Sequence, residues 1–394
     1  MHYETITTGD RLRRYCQDLV QYASISFDTE FVSEHSYRPE LCLIQVSAGG
    51  ELAVIDAVAI DDVRPFWEAV VAEGHRTIVH AGRSEMEFCL QAVGRRPADL
   101  FDVQLAAGLI GIEYPASYGT LIGRLLGEKA PKHETRTDWR RRPLSKRQLQ
   151  YALNDALHLP RLHEVVRVQL KELGRLDWLH EEMATWQEEV EYAQSHHRWR
   201  RVSGISGLRP RMLAVVRELY GWREGEARRR NSPVRRVLRD DLIIELARRQ
   251  TADEARISAV RGLDRGDLRR RYGEIAACIR RALDLPDDQC PNATHRERSP
   301  QLSVLGQFLF AALGSRCREA RLAPSLVGTP NDIRELVVYR TSKDRSERRV
   351  PKLAKGWRAE FVGRLFDDLL AGKQSIRIAD PTSDHPLEFE PRKD

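Results

Sequence analysis

Two acids, Asp28 and Glu30, close an apolar run in the stretch ISFDTEF, and their spacing of two would point both from the same face of a strand. Carboxylates are poor strand formers and costly to bury. The pair therefore means either that the strand stops at Phe27, leaving the acids solvated, or that cations are held there. In IVHAGRSEMEF, Glu85 and Glu87 follow a second apolar run and fall in the first turn of a helix. Acids there favour the positive end of the helix dipole, and Ser84 with Glu87 has the S-x-x-E form of a capping box, the reading adopted for Glu87. In QLQYALND, Tyr151 and Asp155 are four apart and share one helical face. Taken alone this pair reads as a half-exposed structural contact; taken together, the three groups could converge on one pocket.

Convergence would have a chemical reason. Hydrolysis of a phosphodiester at neutral pH needs an activated water and a stabilised leaving oxygen, and two divalent cations about 3.5–4 Å apart serve both ends of an in-line displacement. Mg²⁺ and Mn²⁺ prefer oxygen ligands, hence Asp and Glu in place of Cys or His. Without cations, clustered carboxylates repel one another and take up protons. The six cysteines form no CxxC pair, so neither a zinc ribbon nor a disulfide framework is expected. Cys290 with His295, and the adjacent His196 and His197, lack companion ligands and read as surface residues.

The elements that must position these groups occupy the first 170 residues. ASISFD (23–28), LCLIQVS (41–47) and ELAVIDA (51–57) read as three consecutive, closely spaced strands, antiparallel by their tight turns. VRPFWEAVVAEG reads as a helix, RTIVHAG as a further strand, and helical patterns follow from Ser84, giving an α/β domain with a mixed sheet. From about residue 200 the pattern is helix after helix, with Pro210 near a helix start. LPDDQCPNATHRERSP (285–300) reads as a linker to another helical unit ending near residue 375. EARRRNSPVRRVLRDDL (226–242) and EARLAPSLVGTPNDI (319–333) echo each other, each running from a helix end through a Pro-containing loop to a new acidic helix start.

A chain of 394 residues is too long for one core, so two or three domains are expected. Its polar start, MHYETITTGDRL, and the lack of any run of about 18 apolar residues predict a cytoplasmic protein without membrane association. Residues 201–290 carry 21 Arg and no Lys against 14 acids, a local charge of +7 that exceeds the +6 of the whole chain. Basic excess confined to the middle third favours a polyanion-binding module, although many of these arginines alternate with acids as they would on a solvated helix face.

The chain resembles the ribonuclease D family of DEDD 3′-to-5′ exonucleases. FDTEF is similar to its first exonuclease motif, VHAGRSEMEF to the second and YALND to the third, of the Tyr-containing subtype. FDVQLAAGLIG and RTDWRRRPLSKRQLQYALNDALHLPRL resemble the linking segments, so the likeness spans roughly residues 20–175. It implies a ribonuclease H-like exonuclease domain over residues 1–195, stepwise removal of nucleotides from RNA 3′ ends, tRNA precursors as substrates, and two divalent ions, Mg²⁺ or Mn²⁺. By position, Asp28, Glu30, Glu85 and Asp155 would hold metal, with Asp28 bridging, and Tyr151 would orient the attacking water. His80 and Asp102 match family positions near the site, where buried hydrogen-bonding support serves equally well; for Arg136 and Trp139 a phosphate contact and a stacking surface compete with a packed loop, which is the better reading. One departure stands out: Glu85 occupies a position that is Asp in the family, and its extra methylene displaces the carboxylate enough to affect rate. Residues 207–285 resemble an HRDC domain and 299–375 a second, diverged copy, followed by a tail at 376–394. No obligate protein partner is implied. The alternatives are an RNA-binding protein that keeps the fold without catalysis, motivated by Glu85, and an exonuclease acting on DNA.

Overall fold

The computed structural model describes residues 2–129, 137–195, 198–292, 300–342 and 350–392. By internal contacts the chain divides into two units: residues 1–30, 42–190 and 297–394 form the first, and residues 31–41 with 191–296 form the second.

The first unit is built on a sheet of six strands, β1 (Glu4–Ile6), β2 (Ser24–Val32), β3 (Glu40–Ala48), β4 (Glu51–Asp56), β5 (Arg76–Val79) and β6 (Leu100–Asp102), in the order β1-β4-β3-β2-β5-β6. β3 and β4 are antiparallel, whereas β1 runs parallel to β4 and β5 runs parallel to both β2 and β6, so the sheet is mixed. The short β1 and β6 are additional to the strands expected from sequence.

β2 does not stop at Phe27. It continues through both acids, with Ile25, Phe27 and Thr29 alternating against Ser26, Asp28 and Glu30. Phe27 anchors the strand by edge-on contacts with Phe66 and Trp67 at centroid distances of 5.2 and 5.8 Å. The acids on the other face are thereby held by a packed strand.

After β5 the chain turns sharply into the helix Arg83–Val93. Ala81 takes a left-handed φ of 53°, and a Cβ on Gly82 would lie 2.3 Å from Val79 Cγ2, so only glycine fits there. The helix is capped at Gly82 with no side-chain bond, and the Ser84–Glu87 capping box does not form; Glu87 pairs instead with Arg83 at 3.3 Å. A complete capping box stands elsewhere, where Ser145 and Gln148 reciprocally start the helix Lys146–Leu157 that carries Tyr151 and Asp155.

The C-terminal helices of the first unit pack against this α/β framework. Arg175 donates to the carbonyls of Leu109 at 2.7 Å and Arg321 at 2.8 Å. Buried Arg358 makes a two-point bond to buried Glu182 at 2.5 and 2.8 Å, and Trp178 stacks on Trp357 at 5.0 Å. The tail is not featureless: Gln374–Ile378 (β7) and Leu387–Pro391 (β8) form an antiparallel hairpin.

The second unit is helical around a core that includes Leu219, Leu238, Ile243 and Ile279. Cys290, read from sequence as a surface residue, is buried against this core, because the chain after Pro286 folds back onto it. His196, His197 and His295 lie outside the described residues. The sequence echo is matched in backbone detail at an offset of 90 residues. Helices Pro210–Arg229 and Pro300–Glu319 each end in a left-handed residue, Asn231 (φ 44°) and Arg321 (φ 53°). The closing bonds correspond as well, Ser232 N–H to Ala227 O at 2.9 Å and Leu322 N–H to Cys317 O at 2.8 Å, and each is followed by a one-turn helix, Val234–Val237 or Pro324–Val327.

Candidate metal centre

Asp28 and Glu30 come from β2 and Asp155 from the helix Lys146–Leu157, more than 120 residues away in sequence. The three half-buried carboxylates each present an oxygen within 4.8 Å of the others. The helix buries Ala152, Leu153 and Ala156 and so aims Asp155 and Tyr151 at the strand. Tyr151 is hydrogen bonded to Asp155, and its phenol is pushed up by burial and by the negative charges of Asp155 and Glu30, so it stays protonated.

Glu85 is not a member of this group of three. It is buried, and its Oε1 accepts a 2.6 Å bond from the Thr29 hydroxyl. That bond ties the carboxylate to β2 at the residue between the two acids of the pair.

The electrostatics test the fit to a cation. Burial, followed by repulsion from Glu85, Asp155 and Glu30, raises Asp28 well above the usual carboxylate range. Burial, followed by Asp155 and Glu85, pushes Glu30 up to about 8, and burial pushes Glu85 up to about 7 against the opposing Thr29 bond. An all-oxygen donor set that resists holding its own negative charge suits a hard divalent cation, which would compensate desolvation and repulsion together.

The other expected residues separate by environment. Asp102 is buried and accepts from the backbone N–H groups of Ala81, Gly82, Gln104 and Leu105, tying the turn before Glu85's helix to the start of the next one. His80 donates to Ala116 O at 3.1 Å and lies 5.3 Å from the Tyr118 ring. Trp139 is buried at 4% exposure beside Tyr151, with ring centroids 6.2 Å apart, so it offers no open face to a base. Arg136 lies outside the described residues.

Sequence reasoning passed over three residues that shape the site. Thr29 sits between the two acids and holds Glu85. Gln45 in β3 donates to Asp28 Oδ2 at 3.2 Å, and its only sequence signal is a polar residue inside an apolar run. Arg142 bonds both oxygens of Asp56 at 2.5 Å, together with Cys42 O and Trp139 O, latching the segment that carries Trp139 to the sheet. Burial alone would raise Asp56, but the Arg142 guanidinium outweighs it and holds the carboxyl below its usual value.

Comparison with known proteins agrees with this geometry. A 3′-5′ exonuclease family model matches residues 3–171 and an HRDC domain model matches residues 212–279. Ribonuclease D of Granulibacter bethesdensis is 34% identical over 91% of this chain and 90% of the relative, and ribonuclease D of Acidiphilium cryptum is 34% identical with the same coverage. The crystal structure of Escherichia coli RNase D, described as an exoribonuclease involved in structured RNA processing, superposes with a TM-score of 0.82 at 27% identity, covering 94% of this chain and 99% of that one. A ribonuclease H-like exonuclease domain with a mixed sheet, joined to a helical HRDC-containing region and bearing a convergent carboxylate centre, places this chain in the ribonuclease D family.

Proposed function

We propose that this protein, a 3′-to-5′ exoribonuclease by family, trims RNA 3′ ends, those of tRNA precursors among them, at a centre for two divalent ions held by Asp28, Glu30 and Asp155. The observation that carries the reading is the gathering of three carboxylates from distant segments within 4.8 Å, at a site where burial and mutual repulsion disfavour their charge. When bound, Mg²⁺ or Mn²⁺ supplies Lewis-acid activation of water and neutralises charge on the leaving oxygen.

The chain's own groups position the reactants. Tyr151, bonded to Asp155 and kept protonated, orients the attacking water through its hydroxyl. Glu85, held by Thr29, serves as an outer carboxylate. Asp102 fixes the Ala81–Gly82 turn from which Glu85's helix starts.

The arginine-rich second unit holds RNA by its phosphates. Many of its arginines are neutralised locally, Glu226 pairing with Arg229, Arg230 and Arg271 and Asp267 with Arg230 and Arg265. Exposed Arg261, Arg269, Arg270 and Arg280 are among those left to the surface, so binding should weaken steeply with salt. Residues 299–375 form a second, HRDC-like copy, supported by the matching turn geometry. Among the described residues no helix is long and apolar enough to cross a membrane. The protein acts in the cytoplasm, a reading supported by six buried cysteines that form no disulfide.

The test is incubation of the full chain with a 3′-extended RNA, and with a DNA strand of the same sequence, in Mg²⁺ or Mn²⁺. Stepwise shortening of RNA that vanishes in Asp28→Ala is the expected result. Shortening of DNA at the same rate would move the substrate class to DNA, and intact RNA with both ions would leave a binding protein.

A further inference from the structure

Gln45 lies in the middle of β3, opposite Val54 of β4, in a run where Leu43, Ile44 and Val46 are all fully buried. It is itself fully buried, and it donates through Nε2 to Asp28 Oδ2 at 3.2 Å. The N–H side of the amide faces Asp28, the orientation that suits the ionised carboxylate a cation requires. The other end of the amide is then left without a partner: among the described residues Gln45 Oε1 has no hydrogen bond. A buried carbonyl in that state is a net cost to the fold, one that an apolar side chain of similar volume would remove. Gln45 is therefore poorly explained as a packing residue.

What the amide does accomplish concerns Asp28. Asp28 stands on a strand between Ser26, whose hydroxyl is buried and also unpartnered, and Glu30, and it must face two like charges, Glu30 and Asp155. Like charges that close push a side chain out of the cluster, and a bond from outside the cluster holds one oxygen in place. The Gln45 bond is such a restraint, binding Oδ2 from the neighbouring strand. Groups that hydrogen bond to ligating side chains in this way set ligand orientation, and their loss typically weakens metal binding by one to two orders of magnitude.

We propose that Gln45 is a positioning residue for the metal centre: its buried amide fixes Asp28 so that the carboxylate meets Glu30 and Asp155 in a geometry ready for a divalent cation. The proposal rests on the metal-centre reading given above. Gln45 touches neither substrate nor cation and acts only through Asp28.

The test is Mn²⁺ binding to the full chain, followed by loss of the free-ion electron paramagnetic resonance signal, alongside the melting temperature of each protein in EDTA. The proteins compared are the unaltered chain, Asp28→Ala, and two variants that lack the donor, Gln45→Met and Gln45→Leu. The expected result is a metal-free Tm equal to or above that of the unaltered chain for both Gln45 variants, with Mn²⁺ bound about 10-fold more weakly or worse. Unaltered Mn²⁺ affinity in folded variants overturns the proposal. So does a metal-free Tm that falls along with affinity, or failure of both variants to fold, because either makes Gln45 a packing residue. If the unaltered chain binds no Mn²⁺, or Asp28→Ala binds it equally well, the metal-centre reading fails and takes this proposal with it; the Asp28 arm makes that failure distinguishable from a failure at Gln45 alone.

Discussion

Replacing Glu30 with Gln should stabilise the metal-free protein while destroying its activity. Glutamine keeps the shape of the side chain and removes its charge. Burial and the neighbouring Asp155 and Glu85 push the Glu30 carboxyl from 4.5 up to about 8. A carboxyl raised in the folded state contributes its full stability below pH 4.5 and loses it progressively as the pH climbs to 8. At pH 7.5 roughly three pH units of that interval have been crossed, at about 1.36 kcal/mol each, for a ceiling of ~4 kcal/mol. Glu30 keeps partial contact with solvent, and screening brings the expected gain of Glu30→Gln to about 2 kcal/mol. For larger domains this corresponds to a Tm increase of about 4–8 °C. The assay is thermal unfolding followed by circular dichroism in EDTA at pH 4.5 and 7.5, repeated at pH 7.5 with Mn²⁺. The variant should melt higher only at pH 7.5, and Mn²⁺ should raise the unaltered protein more, by about 2.7 kcal/mol at a hundredfold excess over Kd. An equal or lower Tm for the variant at pH 7.5, or a gap of the same size at both pH values, would refute the account of the site as a repelling cluster stabilised by cations.

Three further outcomes follow from the geometry. Sequence alone sets the expectation that Glu85→Asp matches or exceeds normal activity, whereas the 2.6 Å Thr29 bond, which the shorter Asp could not make, sets the opposite one: a fall of about tenfold in kcat on RNA, measured at saturating Mn²⁺. Tyr151→Phe should lower kcat by about two orders of magnitude and leave Mn²⁺ affinity unchanged if the phenol has its proposed role of orienting water without ligating metal; a matching loss of metal affinity would contradict that role. Glu182→Ala should leave the Arg358 guanidinium buried without its carboxylate and cost about 3–5 kcal/mol in urea unfolding; a change below about 1 kcal/mol would mean that the pair contributes little to holding the C-terminal helices against the α/β framework.

The sequence by itself determined the local geometry of the site. A spacing of two on a strand and of four on a helix sets Asp28 beside Glu30 and Tyr151 beside Asp155, because side-chain direction follows backbone periodicity over a few residues. The motifs also placed the chain in its family, and the backbone echo at residues 226–242 and 319–333 was readable from turn and helix-end residues that act over a single turn. Other features depend on which segments become neighbours. The S-x-x-E at Ser84 looked like a helix start, yet the need for glycine against Val79 and the hold of Asp102 on the turn began the helix earlier. Arg175, Glu182 and Arg358 carry charges that sequence patterning assigns to solvent, and each is buried because long-range packing supplies its partners. Thr29 and Gln45 were legible only as polar residues in apolar company; that one holds Glu85 and the other Asp28 was decided by the approach of a helix and a strand 56 and 17 residues away. Hydrogen bonds form across space at fixed distances, and no local periodicity encodes the far partner.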